Sequence, residues 1–184
     1  MSGNGKHEVI MAGIGGKGVL LAGQLLTYAA MEHYTSVTWS PTYYTLMRSG
    51  PSECTVVLSD HNIASPMVSR AGCVIIFEPS QLQDFLVRVM PGGILLCESA
   101  GLPPVGRTDI RIVKIPATEM AMGLGGPQAA NFILLGAYVG LTDALPPELL
   151  EAQIDQRFPV GSRARELNRH AFQAGLEFGQ KTPS

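Results

Sequence analysis

The chain has 184 residues and a net charge of -2; 46% of its residues are hydrophobic and 15% are charged. This length predicts one domain, residues 1–184, and the charge balance argues against a nucleic-acid surface. The charged fraction is well below the roughly 25% of typical globular chains. Because a small domain has a large surface to cover, we expect part of that surface to be buried in a larger assembly.

The composition also limits the environment and the chemistry of the chain. The most apolar stretch, 132–141, is too short to span a membrane, and the N-terminus has no apolar signal-peptide core, so we expect a cytoplasmic protein without a membrane partner. Cys54, Cys73 and Cys97 are far apart and form no CxxC motif, so we expect buried, reduced thiols and no metal site. No catalytic set of residues is recognisable, and we assign no catalytic residue.

Hydrophobic patterns predict alternating strands and helices, followed by a helical last third. We predict strands at 8–12, 36–40, 54–59, 73–77, 94–98 and 110–115, and helices at 18–32, 81–90, 117–122, 127–141, 147–157 and 162–179. Several strands are continuous apolar runs, which is typical of strands covered on both faces. The fold class is therefore a three-layer α/β/α Rossmann-like domain with a mixed, mostly parallel sheet. We expect flexible ends at 1–7 and 181–184.

The first strand runs into a glycine turn, Gly13-x-Gly15-x-x-Gly18, and then into a helix. This is the spacing of a dinucleotide-binding turn, in which backbone amides at the helix start face an anion. A dinucleotide site also needs an acid at the end of the second strand, and here that strand ends in Trp39, Ser40 and Pro41. The sequence therefore favours another anion over NAD or FAD. A glycine turn that only packs, and binds nothing, remains an alternative.

The connection between the second and third strands has about a dozen residues, which is barely enough for a parallel crossover. We therefore expect strand 54–59 to run antiparallel to a neighbour. The same connection carries Arg48, whose guanidinium suits a carboxylate or a phosphate. Asn131 begins an otherwise apolar helix, where a buried amide needs a partner: either a bond to a nearby loop or a ligand.

In the last helix, an apolar stripe favours packing within the domain, with a partner subunit or a second copy of this chain as the alternative. The stripe consists of Leu167, Ala171, Ala174 and Phe178. Glu78 and Glu98 lie at strand ends, and we expect them to cap helices or meet solvent, with a position facing the ligand crevice as the alternative.

Together, GIGGKGV at 13–19, Arg48-Ser49-Gly50 and SDHNIASPMV at 59–68 resemble the gamma subunit of 2-oxoacid:ferredoxin oxidoreductases, the family of the pyruvate, ketoisovalerate and 2-oxoglutarate enzymes. Pro91-Gly92-Gly93, Asn131 and Glu166-x-Asn168 fit the same pattern, so the resemblance covers nearly the whole chain. Lys17, Ser49 and Gly72 depart from it.

The resemblance implies a subunit of an enzyme that converts a 2-oxoacid and coenzyme A to acyl-CoA and carbon dioxide, with electrons passing to ferredoxin. Thiamine diphosphate and iron–sulfur clusters would lie in alpha, beta and delta-type partner subunits, and this chain would hold no stable cofactor. Coenzyme A phosphates become the leading anion for the glycine turn, and packing against a partner subunit is the equal alternative. A free-standing Rossmann-like nucleotide-binding redox protein is the alternative function. The candidate binding residues are Gly13, Gly15, Gly16, Lys17, Gly18, Arg48, Ser49 and Asn131.

Overall fold

A computed structural model describes residues 5–43 and 50–183, and the side chain of Tyr43 is not part of that description. The strands are β1 (Lys6–Ile14), β2 (Ser36–Tyr43), β3 (Pro51–Ser59), β4 (Ala71–Ile76), β5 (Val89–Glu98) and β6 (Arg111–Ile115). The helices are α1 (Val19–Ala30), α2 (Leu82–Leu86), α3 (Ala117–Gly123), α4 (Ala130–Thr142), α5 (Pro147–Arg157) and α6 (Arg163–Lys181). Short 3-10 turns at Pro79–Gln81 and Pro127–Ala129 precede α2 and α4.

Each predicted strand and helix has a counterpart in the structure, but the helix predicted at 81–90 is wrong in its second half. The helix α2 ends at Leu86, and β5 begins at Val89. Val89 is fully buried and pairs with Ala71 of β4. Tertiary pairing with β4 therefore overrides the helical periodicity of this segment.

The six strands form one mixed sheet in the order β2-β3-β1-β4-β5-β6. β3 is antiparallel to both of its neighbours, β1 and β2, and the other neighbouring pairs are parallel. The predicted antiparallel strand is confirmed, and its short connection to β2 joins an antiparallel pair. The carboxyl ends of the parallel strands therefore meet at one edge of the sheet, together with the end of β2 and the start of β3.

The two faces of the sheet are covered unequally. Val9 and Met11 point to one face and pack with α1, α3, α4, α5 and α6, whereas Ile10 and Ala12 point to the other face and pack with α2. The second face is completed by loop residues such as Leu102 and Val105. The predicted α/β fold with a mixed, mostly parallel sheet is confirmed, and its second helical layer is thin. None of the helices in the described residues combines the length and apolarity needed to cross a bilayer.

Glycines let α4 and α6 pack backbone against backbone. A Cβ atom added at Gly136 of α4 would overlap the carbonyl of Phe172, and one added at Gly175 of α6 would overlap the carbonyl of Ile133. Leu167 and Ala171 of the predicted stripe on α6 are buried in the core. The prediction that this stripe packs within the domain is confirmed for these two residues.

Candidate functional site

The glycine turn leaves β1 at the carboxyl edge of the sheet and enters α1. Gly16 and Gly18 have positive φ angles, 90° and 73°, which favour glycine. The first backbone bond of α1 runs from Ala22 N–H to Gly18 O at 3.0 Å, so the three amides before Ala22 have no partner within the helix. These amides and the helix dipole favour an anion at this position.

Gly15 ties the turn to the neighbouring connection. Its N–H donates to Gly50 O at 3.0 Å, just before β3 begins. The connection between β2 and β3 therefore ends beside the glycine turn. Arg48 and Ser49, which lie in this connection, are outside the described residues. The amide of Gly15 is engaged by Gly50 and is not available to a ligand.

Gly13 has a packing role. A Cβ atom at this position would lie 2.8 Å from Val19 Cγ2 and 3.0 Å from Phe77 Cβ. The absence of a side chain lets the end of β1 approach both α1 and the end of β4. Of the candidate glycines in the turn, Gly13 therefore brings the strands and the helix together, and Gly16 faces open space.

Lys17 supplies a cation at the turn, but a carboxylate partly neutralises it. Its Nζ lies 3.0 Å from Glu78 Oε2, and the two side chains are 41% and 23% exposed. Glu78 directly precedes the 3-10 turn after β4 and makes no side-chain capping bond there. Glu78 therefore does not cap this helix; it pairs with a lysine more than sixty positions earlier and stays partly open to solvent.

Asn131 joins α4 to the glycine turn. Its side chain is buried, and Nδ2 donates a long hydrogen bond of 3.5 Å to Gly18 O. The other amide atom, Oδ1, is buried and has no hydrogen-bond partner in the described structure. A Cβ atom on Gly18 would lie 2.5 Å from Asn131 Nδ2, so the turn and the amide are closely fitted. Of the two partners considered for Asn131, the bond to a nearby loop is present, and the amide oxygen has no partner among the described residues.

A cavity of about 100 Å³ lies between the glycine turn and helices α3 and α4. The residues that give it its chemistry are Gly16, Lys17, Phe77, Thr118, Gln128 and Asn131. Three of them are predicted site residues that the fold brings together: Gly16, Lys17 and Asn131. Thr118 is not among the site residues predicted from the sequence. The signal that could have found it is its position two residues after Pro116, where β6 ends at the same sheet edge.

Glu98 holds Thr118 in place. The carboxylate is buried and accepts from Thr118 N and Thr118 Oγ1, both at 2.7 Å, and from Ala100 N at 2.9 Å. Thr118 is the second residue of α3, so Glu98 satisfies an amide of the first helical turn. The expectation that Glu98 caps a helix is confirmed.

The cysteines are separate from this site. Cys54, Cys73 and Cys97 are free thiols, and all three are buried. Burial raises the pKa of each to about 12, so the thiolate form is suppressed near neutral pH. These thiols are packing residues of the sheet, as the sequence analysis expects.

A helix start with free amides, a cation and a buried amide, at the carboxyl edge of a mixed sheet, define a Rossmann-like domain with a polar cavity. This chain belongs to the pyruvate ferredoxin/flavodoxin oxidoreductase family, whose model matches residues 8–178. The 2-oxoglutarate synthase subunit KorC of Methanothermobacter thermautotrophicus is 31% identical, with 94% of each chain covered. The ketoisovalerate oxidoreductase subunit VorA of Methanothermobacter marburgensis is also 31% identical, over 95% of this chain. The present chain spans only 37% of the length of that VorA subunit.

Solved structures show the same fold. A keto/oxoacid ferredoxin oxidoreductase gamma subunit from Geobacter sulfurreducens superposes with a TM-score of 0.80 at 27% identity, covering 96% of this chain and 99% of that one. The 2-oxoglutarate:ferredoxin oxidoreductase of Magnetococcus marinus, solved with 2-oxoglutarate, coenzyme A and succinyl-CoA bound, has a TM-score of 0.88 at 18% identity. The superposition with the Magnetococcus enzyme covers 97% of the present chain and 32% of the Magnetococcus chain, and this likeness concerns the fold.

Proposed function

We propose that this chain is the gamma-type subunit of a 2-oxoacid:ferredoxin oxidoreductase. The observation that carries the proposal is the likeness to the Geobacter gamma subunit, which spans nearly the whole of both chains. The KorC subunits, at a similar length, support the same assignment. The complex would convert a 2-oxoacid and coenzyme A to acyl-CoA and carbon dioxide and pass electrons to ferredoxin.

In such a complex, other subunits would supply the redox chemistry. Iron–sulfur clusters need several cysteines close together, whereas the three cysteines here are separately buried in the sheet. Within residues 5–43 and 50–183, no three His, Cys, Asp or Glu side chains are grouped to hold a metal ion. We assign thiamine diphosphate and the clusters to partner subunits of the alpha, beta and delta types. The role of this chain is assembly and ligand binding.

Co-expression tests the subunit assignment. The chain is produced alone and together with the neighbouring oxidoreductase subunits, and both preparations are assayed with pyruvate, 2-oxoglutarate and branched 2-oxoacids as substrates. We expect turnover, with reduction of ferredoxin, only from the assembled complex. Turnover of a 2-oxoacid by the isolated chain, or failure to join the complex, would contradict the assignment. The alternative of a free-standing nucleotide-dependent redox enzyme predicts activity of the chain alone.

At the glycine turn, the ligand we propose is the phosphate end of coenzyme A. Support comes from the free amides at the start of α1 and from Lys17. A site for NAD would also need an acid at the end of the second strand to hold the ribose, and the sequence has none there. The competing interpretation is a turn that only packs, and the roles of Gly13 and Gly15 are consistent with it.

Two lysines in ion pairs of equal length provide a test, and the Lys181–Glu177 pair is the more exposed of the two. Lys17 pairs with Glu78 at the site, and Lys181 pairs with Glu177 near the end of α6, each at 3.0 Å. Arg111 at the start of β6 bonds Thr182 O, so Lys181 lies near the opposite edge of the sheet. Lys17→Met and Lys181→Met complexes are compared by calorimetry for binding of coenzyme A and of NAD.

We expect Lys17→Met to weaken coenzyme A binding on the order of tenfold, the value of one charged hydrogen bond. Lys181→Met should leave binding unchanged, and NAD should bind more weakly than coenzyme A to every complex. If coenzyme A binds both variants as it binds the unaltered complex, the phosphate proposal is wrong and the turn only packs.

A further inference from the structure

A second cavity lies at the amino edge of the sheet, opposite the glycine turn. It has a volume of about 370 Å³ and is lined by the start of β1, the end of β3 and the loop that follows β3. Residues 59–68, by which the chain resembles the gamma subunits, run through this loop. They therefore lie at the edge opposite the proposed phosphate site.

One wall of this cavity is polar. Lys6 Nζ lies 2.6 Å from Glu8 Oε1, and Ser59 at the end of β3 is only 3% exposed. The Ser59 hydroxyl accepts from His61 N–H at 3.0 Å, and no acceptor for its own proton lies among the described residues. Because a hydroxyl has one donor as well as two lone pairs, Ser59 can still donate a hydrogen bond to a carbonyl oxygen in the cavity.

The other wall is apolar and partly faces solvent. Ile63, Ala64 and Met67 line the cavity together, and Met67 is 87% exposed. A single exposed methionine would be ordinary, but here it adjoins two further apolar residues at the rim of a cavity. Apolar residues grouped in this way, with polar residues around them, mark surfaces that contact another molecule.

The loop that carries the apolar wall is held at both ends. Arg88 donates from Nη2 to Val68 O at 3.0 Å and from Nε to Ser69 O at 3.4 Å. At the other end of the loop, Asp60 N–H donates to Gly5 O at 2.8 Å. A loop that is already fixed loses little conformational entropy on binding, so this one is pre-organised for contact.

Both ends of the domain lie at this same edge. β1 begins at Lys6, and Arg111 at the start of β6 donates to Thr182 O just after α6. In the VorA subunit of Methanothermobacter marburgensis, the part that matches this chain is 37% of a longer polypeptide. Whichever end of the matching part joins the remainder, that connection leaves the domain at the amino edge. In a separate subunit, the residues that correspond to the connection form a chain terminus beside the cavity.

We propose that this cavity and Met67 form the docking site for the partner subunit that corresponds to the remainder of VorA. An extended segment next to a terminus of that subunit occupies the cavity. One apolar side chain of the segment packs against Ile63 and Met67, and a main-chain carbonyl accepts from Ser59. The inference rests on the subunit assignment proposed above and adds the surface through which the chain joins its complex.

Two exposed apolar residues at opposite edges of the sheet provide a matched test. Met67 is 87% exposed at the amino edge, and Val160 is 88% exposed between α5 and α6. Val160 lies at the carboxyl edge, because Arg163 nearby bonds Gly125 O shortly before α4 begins. The Met67→Asp and Val160→Asp chains are each added to the remaining subunits of the complex, and the dissociation constants are measured by biolayer interferometry.

We expect Met67→Asp to weaken association about tenfold or more, because a carboxylate would be buried in an apolar contact. Val160→Asp should associate as the unaltered chain does. Normal association of Met67→Asp would overturn the docking site while the subunit assignment stands. An equal loss in Val160→Asp would show that any added charge weakens assembly, and would overturn it too. If the unaltered chain does not join the other subunits, the subunit assignment itself fails.

The occupant of the cavity is tested at Ala64. Ala64→Trp fills the cavity from its exposed rim and should weaken association about tenfold or more, whereas Ala64→Ser should associate normally. Hydrogen exchange of the unaltered chain gives a second readout, and we expect residues 60–68 to exchange more slowly in the complex than in the isolated chain. Normal association of Ala64→Trp, or unchanged exchange at 60–68, would show that no segment enters the cavity and would overturn the inference.

Discussion

Glycines serve opposite purposes in two regions of this domain. At the carboxyl edge of the sheet, a Cβ atom added to Gly16 would meet no atom of the described residues within 4 Å. Between α4 and α6, a Cβ atom added to Gly136 would overlap the backbone of Phe172. In the first region, which we call the open region, the missing side chain leaves space beside free amides. In the second, which we call the closed region, it lets the backbones of α4 and α6 touch. The sequence shows only glycine in both places.

The closed region has a thermodynamic cost that close packing must offset. Gly136 and Gly140 lie in α4, and Gly175 and Gly179 lie in α6. Each helical glycine costs roughly 1 kcal/mol relative to alanine. The four positions are adjacent in space, because Gly140 faces Leu176 and Gly179 faces Ala137. Their joint presence indicates that contact between the helix backbones compensates for the loss of helix propensity.

The largest expected effect is at the closed region. In Gly175→Ala, the added methyl group meets the backbone of Ile133, which cannot rotate away, and we expect a loss of about 3 kcal/mol in unfolding free energy. Urea denaturation measures it. Gly123→Ala is the matched control, because Gly123 is also helical and its Cβ atom would meet nothing within 4 Å. The control should be neutral or slightly stabilising. Equal stability of the two variants would show that the helices separate without cost.

At the open region, we expect a smaller effect from Gly18→Ala, about 2 kcal/mol, and about 1 kcal/mol from Gly16→Ala. Both residues have positive φ, so each alanine is strained, but only the methyl group at position 18 also meets Asn131. Adding Asn131→Ala should therefore relieve part of the cost at position 18 and none at position 16. A double-mutant cycle by urea denaturation measures this coupling. Equal coupling at both positions would contradict the close fit of Gly18 and Asn131.

The sequence predicts the elements of this fold well because their causes are local. Continuous apolar runs identify the buried strands, and the short connection before β3 predicts its antiparallel direction. The helix predicted at 81–90 is wrong beyond Leu86 because its end depends on the pairing of Val89 with β4. A local pattern carries no information about such a partner.

The site was predictable only in part, for the same reason. The glycine turn and Asn131 stand out in the sequence as a motif and as a polar residue in an apolar helix. The contact between Lys17 and Glu78, and the buried bonds of Glu98 to Thr118, join segments far apart in the chain. Only the order of the strands brings these segments to one edge of the sheet. The position of Thr118 just after the end of β6 was a weak signal, because hydroxyl residues near helix starts are common.

Glu78→Gln tests whether an anion binds beside Lys17 in the open region, and the expected change in affinity is modest. Removing the carboxylate that pairs with Lys17 removes a repulsive charge near the proposed anion, so we expect pyrophosphate affinity to rise about 2- to 5-fold. The gain should shrink at high salt. Glu177→Gln, which removes the partner of Lys181, should leave the affinity unchanged. A loss of affinity in Glu78→Gln would mean that the carboxylate is needed to position Lys17.

The smallest expected effect concerns the charges that join α5 to α6 beside the closed region. Asp155 accepts from Arg165 Nε at 2.8 Å and from Arg169 Nη1 at 2.6 Å. The hydrogen bond from Arg165 first, and then that from Arg169, lowers the pKa of the Asp155 carboxyl below its usual value of 3.8. A lowered pKa in the folded state stabilises the fold above the unfolded pKa, and this stabilisation is lost as the pH falls through the lowered value.

We therefore expect Asp155→Asn to lower the melting temperature slightly near neutral pH. The difference from the unaltered chain should begin to shrink near the unfolded pKa and vanish at lower pH. Thermal unfolding between pH 7 and pH 2 measures it, with Asp84→Asn of α2 as a control at an exposed position. Because these three side chains are partly exposed to solvent, their effect should stay far below that of Gly175→Ala. If the two variants lost similar stability, the ion pairs of Asp155 would contribute as much as the glycine contacts to holding α6 in place, which would contradict this ranking.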